Sequence, residues 1–163
     1  MSPEPIAIVT TGGTIDKAYF DSLSTYQVGE TMVASLLRVA RVTHPFKVVE
    51  LLRKDSLELT DDDREQLRAT VAGIDSHRVV ITHGTDTMTD SAAVLATIPG
   101  KTIVLTGALA PARFAESDAT FNLGMAFAAT QTLAPGVYIA MNGQVFRGDA
   151  VRKDRQQGQF VSR

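Results

Sequence analysis

Short apolar runs rich in β-branched residues alternate along the chain with longer stretches in which apolar residues recur every three or four positions. The runs are 6–10 (IAIVT), 46–52 (FKVVELL), 79–81 (VVI), 101–106 (KTIVLT) and 137–141 (VYIAM). Runs of this kind suit strands buried on both faces of a parallel sheet. Helical spacing fills the gaps between them. Over 29–41 the apolar positions are Met32, Leu36, Val39 and Ala40. From Thr60 they are Leu67, Val71 and Ile74, and from Met88 to about residue 98 they are Met88, Ala92 and Leu95. Over 118–133 the expected core face is Phe121, Met125, Ala128 and Ala129. Pro99-Gly100 and Pro135-Gly136 read as turns. Asn142-Gly143 is a hairpin signal, so 144–147 is expected to return antiparallel. Segment 16–28 lacks either periodicity and reads as a loop of the length used for active-site lids. Segment 109–117 also reads as a loop, and 148–163 as a polar, basic tail. Five strands alternating with four helices predict an α/β fold. The expected form is a doubly wound, mostly parallel, three-layer sheet of the Rossmann or flavodoxin-like kind, with a C-terminal hairpin and a single domain over 1–163.

Chemistry gathers where the strands end. The run at 79–81 passes directly into Thr82, His83, Gly84, Thr85, Asp86 and Thr87. Asp86 or Thr87 is placed to cap the following helix. The first run ends in Thr11-Gly12-Gly13-Thr14, and the second in Arg53-Lys54-Asp55-Ser56. The carboxyl ends of parallel strands share one edge, where α/β proteins bind ligands, so these groups can converge. Gly12-Gly13 matches neither the phosphate-loop nor the dinucleotide pattern. A Thr hydroxyl needs a base to act as a nucleophile. Tyr26 in the expected lid and Lys153 in the tail are the candidates. Burial would favour neutral Lys153, whereas a neighbouring Asp86 would favour the charged form. Backbone N–H groups of Gly13 and Thr85 are candidates to hold an oxyanion. His83, alone at the end of a buried strand, is read as a hydrogen-bonded core residue, and His44 and His77 are given no role. Asp61, Asp62 and Asp63 sit in the first turn of a helix, where negative charge suits the dipole, and are read as capping rather than metal binding.

Composition narrows the classes. The sequence has no cysteine, which excludes disulfides, thiolate zinc sites and thiol catalysis and fits a reducing compartment. Three histidines with no carboxylate cluster at ligand spacing predict no metal, and no other cofactor is expected. A net charge of −2 gives no electrostatic pull towards nucleic acid or an anionic membrane. No stretch approaches the ~18 apolar residues of a membrane span. The start MSPEPIAIV carries an acid where a leader would carry a base, so a cytoplasmic protein is expected.

Two motifs in this strand context, Thr11-Gly12-Gly13-Thr14-Ile15 and His83-Gly84-Thr85-Asp86-Thr87, resemble the signatures of the bacterial-type L-asparaginase family. Tyr26, Asp55-Ser56, Gly107-Ala108 and Lys153 extend the resemblance along nearly the whole chain. It implies an amidohydrolase converting L-asparagine to L-aspartate and ammonia, with some glutamine hydrolysis. It implies Thr14 as the nucleophile forming an acyl-enzyme, helped by Tyr26, with Thr85, Asp86 and Lys153 as a second catalytic group. Gly13, Asp55, Ser56, Gly84 and Ala108 would line the substrate site, with Ser56 and Asp86 holding the α-carboxylate and α-amino group. Ala108 would offer its carbonyl near the amide. Longer members carry a smaller second domain, from which a neighbouring subunit supplies an acid to the amino group. The expectation here is the short, single-domain form, working as a homo-oligomer. A non-catalytic sensor of asparagine or aspartate and an amidase for another small amide are the alternatives.

Overall fold

The five apolar runs become five parallel strands at the centre of the molecule. The computed structural model describes residues 2–163; Met1, the first residue of the expected domain, lies outside the described residues. In chain order the elements are β1 (Ile6–Gly12), β2 (Lys17–Phe20), β3 (Thr25–Val28), α1 (Val33–Val39), β4 (Phe46–Lys54), α2 (Asp61–Gly73) and β5 (Arg78–Thr82). They continue with α3 (Met88–Leu95), β6 (Thr102–Thr106), α4 (Ala119–Thr132), β7 (Gly136–Met141), β8 (Gln144–Arg147), β9 (Val151–Asp154) and β10 (Gln159–Ser162). The main sheet runs β4-β1-β5-β6-β7-β8, parallel except for β8. That order is the flavodoxin-like form of the doubly wound sheet. Its topological switch point, the crevice where ligands bind in this architecture, falls between β1 and β5.

Alternation along the strands builds two cores. Ala7, Val9, Val79, Ile81, Ile103, Leu105, Ile139 and Met141 face α2 and α3. Ile6, Ile8, Val80, Val104 and Ala140 face α1 and α4. This is the expected three-layer arrangement. Asn142 and Gly143 both take positive φ, as a two-residue hairpin turn requires, and β8 returns antiparallel with Met141 opposite Gln144. The acidic start of α2 is a capping box: Thr60 Oγ1 accepts from Asp63 N, and the Asp63 carboxylate accepts from Thr60 N. Asp63 also pairs with Lys54 at 2.8 Å.

Several expectations are corrected. Segment 16–28 is not structureless: β2 and β3 form a hairpin, called the flap below, with Tyr19 opposite Tyr26. The tail is likewise a hairpin, β9 with β10, anchored by buried Val151 and Phe160. Both are short, four-residue strands whose pairing comes from tertiary anchors that a local pattern does not carry. Helix α1 buries Val33 and Leu37, leaving Val39 81% exposed. Helix α4 is apolar all round, so its sequence offered more than one stripe. It buries Ala119, Leu123, Ala126 and Phe127 and leaves Phe121 63% exposed. Thr87 stands at the N-cap of α3, but its hydroxyl donates to Ser56 O (2.8 Å) and joins two loops instead of capping.

His83 ends β5 as a fully buried residue, as expected of a core histidine. One ring nitrogen, Nδ1, lies 2.6 Å from Gly84 O, which can only accept, so Nδ1 carries the proton. Nε2 then accepts from the Ser91 hydroxyl at 2.7 Å. Burial pushes the imidazole down to about 4.

Two expected outcomes follow from this packing. Leu123→Ala is expected to lower stability by about 2–5 kcal/mol and Phe121→Ala by under about 0.5 kcal/mol, read by urea unfolding. The opposite ranking would overturn the assignment of the buried face. An unfolded chain protonates His83 below about 6.5, the native one only below about 4. Its contribution is therefore complete above 6.5 and is lost as pH falls through that window. His83→Gln is expected to cost about 2 kcal/mol less at pH 5 than at pH 7.5 in the same unfolding assay. An equal cost at both pH values would contradict a neutral buried imidazole.

Candidate active site

The carboxyl edge of the sheet is drawn together by backbone contact. Gly13 has φ +85°, and a Cβ there would stand 2.6 Å from Gly84 Cα. A Cβ on Gly84 would stand 2.6 Å from Ser56 Cβ. Side chains at either position would push apart the loops that follow β1, β4 and β5. Their absence brings the loops bearing Thr14, Ser56 and Thr85 into contact at the switch point.

Thr14 opens a 3-10 turn, Thr14–Asp16, and is half-buried. Among the described residues its hydroxyl has no hydrogen-bond partner. Gly13 N donates to Lys54 O at 3.0 Å, continuing the β1–β4 ladder. This corrects the expectation that the Gly13 N–H faces a ligand. The N–H groups of Thr14 and Thr85 carry no such bond among the described residues.

Thr85, Asp86 and Lys153 are brought together. Lys153 Nζ donates to Thr85 Oγ1 and to Asp86 Oδ1, both at 2.8 Å. Thr85 is buried, and the Lys153 side chain is only 15% exposed. The lysine arrives on β9, with Phe160 as its partner across the hairpin. Buried Phe160 thus fixes the strand that carries the cation. A second cation, Arg155, stands 3.9 Å from Asp86 Oδ1 and reaches Asp86 O at 3.5 Å.

Asp55 caps the 3-10 turn Ser56–Glu58 by accepting from Leu57 N at 3.2 Å, and it pairs with Lys17 at 3.2 Å. Partial burial pushes its carboxyl upwards. The Leu57 N–H and the charges of Lys17 and Lys153 outweigh this and hold it below the usual range. Ser56 is buried, its Oγ 3.4 Å from Thr87 N. Ala108 is buried just past β6. Its loop is held by Asp118, which accepts from Leu109 N and Ala110 N, and by Asn122, which donates to Gly107 O at 2.9 Å. Tyr26 stands apart from this cluster. It lies on the flap, 51% exposed, its ring 5.2 Å from Tyr19 and 5.7 Å from Phe114, and its hydroxyl has no hydrogen-bond partner among the described residues. A cavity of about 350 Å³ opens beneath the flap, lined by Lys17, Tyr26, Arg53, Asp55 and Glu58 among others.

Lys17, Arg155, Asp118 and Asn122 were not singled out by sequence reasoning. Lys17 was hidden inside a stretch read as structureless. Arg155, two positions beyond Lys153, faces Asp86 only because the chain turns after β9. Asp16 was also missed. It is buried just after Thr14, and burial pushes its carboxyl up to about 6, against the pull of the Met32 N–H it accepts at 3.0 Å.

Residues 5–159 match the family model described as Asparaginase, N-terminal. The glutaminase-asparaginase of Acinetobacter glutaminasificans is 32% identical over 162 residues, covering 91% of this chain and 49% of that protein. The solved thermostable L-asparaginase from Thermococcus kodakarensis superposes with a TM-score of 0.84 at 27% identity, over 97% of this chain and 51% of that one. The probable cytoplasmic L-asparaginase of Campylobacter jejuni superposes at 0.81 with 30% identity, over 98% and 53%. The chain spans about half the length of the curated relatives it matches. The family model covers nearly the whole of this chain, so the chain belongs to the asparaginase family, in the part described as its N-terminal domain.

Proposed function

We propose that this chain carries the catalytic core of an amidohydrolase that converts L-asparagine to L-aspartate and ammonia through an acyl-enzyme on Thr14. The observation that carries the reading is the network in which Lys153 holds Thr85 and Asp86, beside a loop presenting a Thr hydroxyl with no partner among the described residues. The similarity to asparaginases points the same way.

In the first half-reaction Thr14 Oγ attacks the side-chain amide carbon. Its proton passes through the Thr85 hydroxyl to the Lys153–Asp86 pair, Lys153 taking it up as one of its own protons moves onto the Asp86 carboxylate. The N–H groups of Thr14 and Thr85 are available for the oxyanion. The C–N bond then breaks and Lys153 returns the proton to the departing nitrogen, releasing ammonia. In the second half-reaction water attacks the ester carbon, gives up a proton by the same route, and the proton returns to Thr14 Oγ as aspartate leaves. Ser56 and Asp86 take the α-carboxylate and α-amino group, with Asp55 fixing the Ser56 turn. Gly13 and Gly84 let the loops close round the substrate, and the Ala108 carbonyl faces the amide nitrogen. Tyr26 acts when the flap brings it over Thr14. The similarity to a glutaminase-asparaginase favours glutamine as a second substrate. One extra methylene changes discrimination by only about 1–3 kcal/mol. The reading is of a cytoplasmic protein working as a homo-oligomer. Among the described residues no helix is long and apolar enough to cross a membrane.

Ammonia release from L-asparagine is expected to fall at least about 10³-fold in Thr14→Ala, while L-aspartate still raises the melting temperature. Retained turnover would remove Thr14 as the nucleophile. Lys153→Met keeps an unbranched side chain one atom shorter, with neither the charge nor the donor. It is expected to lower kcat about 10²–10⁴-fold. A change in KM alone would assign Lys153 to binding and not to proton transfer.

A further inference from the structure

The loop between β6 and α4 reaches across the site to the flap, and three successive residues make the contact. Ala112 N donates to Ile15 O at 3.0 Å, inside the turn that carries Thr14. Phe114 sets its ring against Tyr26 at 5.7 Å. Between them, the Arg113 guanidinium spans both roots of the flap. Its Nη1 donates to Asp16 O at 2.9 Å, with a longer contact to Lys17 O at 3.5 Å, and its Nη2 donates to Glu30 O at 2.9 Å. Asp16 and Lys17 lead from the Thr14 turn into β2, and Glu30 follows β3. The roots touch each other through Gly29 N to Asp16 O at 2.9 Å.

Beyond the Lys17–Asp55 ion pair at 3.2 Å, the flap has little else to hold it. None of the residues of β2 or β3 is buried, and its large side chains Tyr19, Phe20, Leu23 and Tyr26 are exposed. A two-stranded hairpin of this size is marginal by itself. An arginine fork satisfies two carbonyls in one plane, which a lysine ammonium on a flexible stem does not reproduce. The far end of the arginine's loop is fixed by the bonds from Leu109 and Ala110 to Asp118.

We propose that Arg113 is the positioning residue that latches the flap, holding both roots so that the flap, with Tyr26 on it, moves over the Thr14 turn about one fixed line. It does not touch substrate. Its catalytic consequence rests on the amidohydrolase reading; the latch itself does not.

The test uses the full chain with Tyr138→Phe. The sequence has no tryptophan and three tyrosines, so emission then comes only from Tyr19 and Tyr26 on the flap. In Arg113→Ala, acrylamide quenching of that emission is expected to rise at least about twofold. Amide exchange over 17–28 is expected to speed about tenfold, with β5 unchanged. With L-asparagine, kcat is expected to fall about tenfold or more and KM to move less. Arg113→Lys keeps the charge but reaches one root only, so it is expected to loosen the flap as well. It provides the same readouts should the alanine variant fold poorly. Quenching and exchange at parental values in Arg113→Lys, or in a folded Arg113→Ala, would overturn the latch. A loosened flap with unchanged kcat would overturn the positioning role. Absence of ammonia release in the parent would count against the amidohydrolase reading, and the quenching and exchange data would still decide the latch.

Discussion

Backbone packed on backbone at the carboxyl edge of the sheet is the constraint on which the site depends. Gly13 presses on Gly84, and Gly84 presses on Ser56, at separations that leave no room for a Cβ. The contacts join the ends of β1, β5 and β4, three strands that lie side by side in the sheet. Thr14 and Thr85 each directly follow one of these glycines. Their proximity is therefore a consequence of Gly13 packing main chain on main chain against Gly84, whose other side meets Cβ and Oγ of Ser56. A loop held this way keeps the Thr14 hydroxyl in place without long hydrogen-bonded side chains around it. This suits a site whose polar groups must stay free for substrate.

The main sheet was legible because its signals are local and redundant. Buried parallel strands need β-branched apolar runs, Thr60 followed by Asp63 makes a capping box, and Asn142-Gly143 fits a turn with two positive φ angles. The convergence of Thr14, Ser56 and Thr85 was legible too, because parallel topology alone puts those strand ends on one edge. The flap and the last hairpin were not legible. The β2 and β3 residues alternate no apolar pattern, since neither face of that hairpin is buried. Lys153 was nameable from resemblance, but its meeting with Thr85 and Asp86 depends on the fold of the tail. The Gly13 N–H was misread because nothing in the sequence tells that the β1–β4 ladder runs one residue past the last strand position, to the Lys54 carbonyl.

The two hairpins are similar in size and opposite in anchorage. β9 and β10 insert Val151 and Phe160 into the core shared with α2 and α3, so Lys153 stands on a strand fixed by hydrophobic burial. That burial offsets the cost of holding a lysine against a carboxylate at low exposure, and it fixes the Thr85 hydroxyl in turn. The flap buries none of its strand residues and is tied at its roots by polar contacts, through Asp16, Gly29 and Arg113. Apolar burial resists displacement in every direction, whereas root hydrogen bonds fix a hinge line and leave the tip free to swing. The charged network thus sits on the hairpin fixed by burial and the exposed aromatics on the one held at its roots. On the amidohydrolase reading, a site that passes protons while admitting and releasing a small polar molecule needs that division. Loosening the Lys153 strand would disperse the charges, and stiffening the flap tip would shut the entrance.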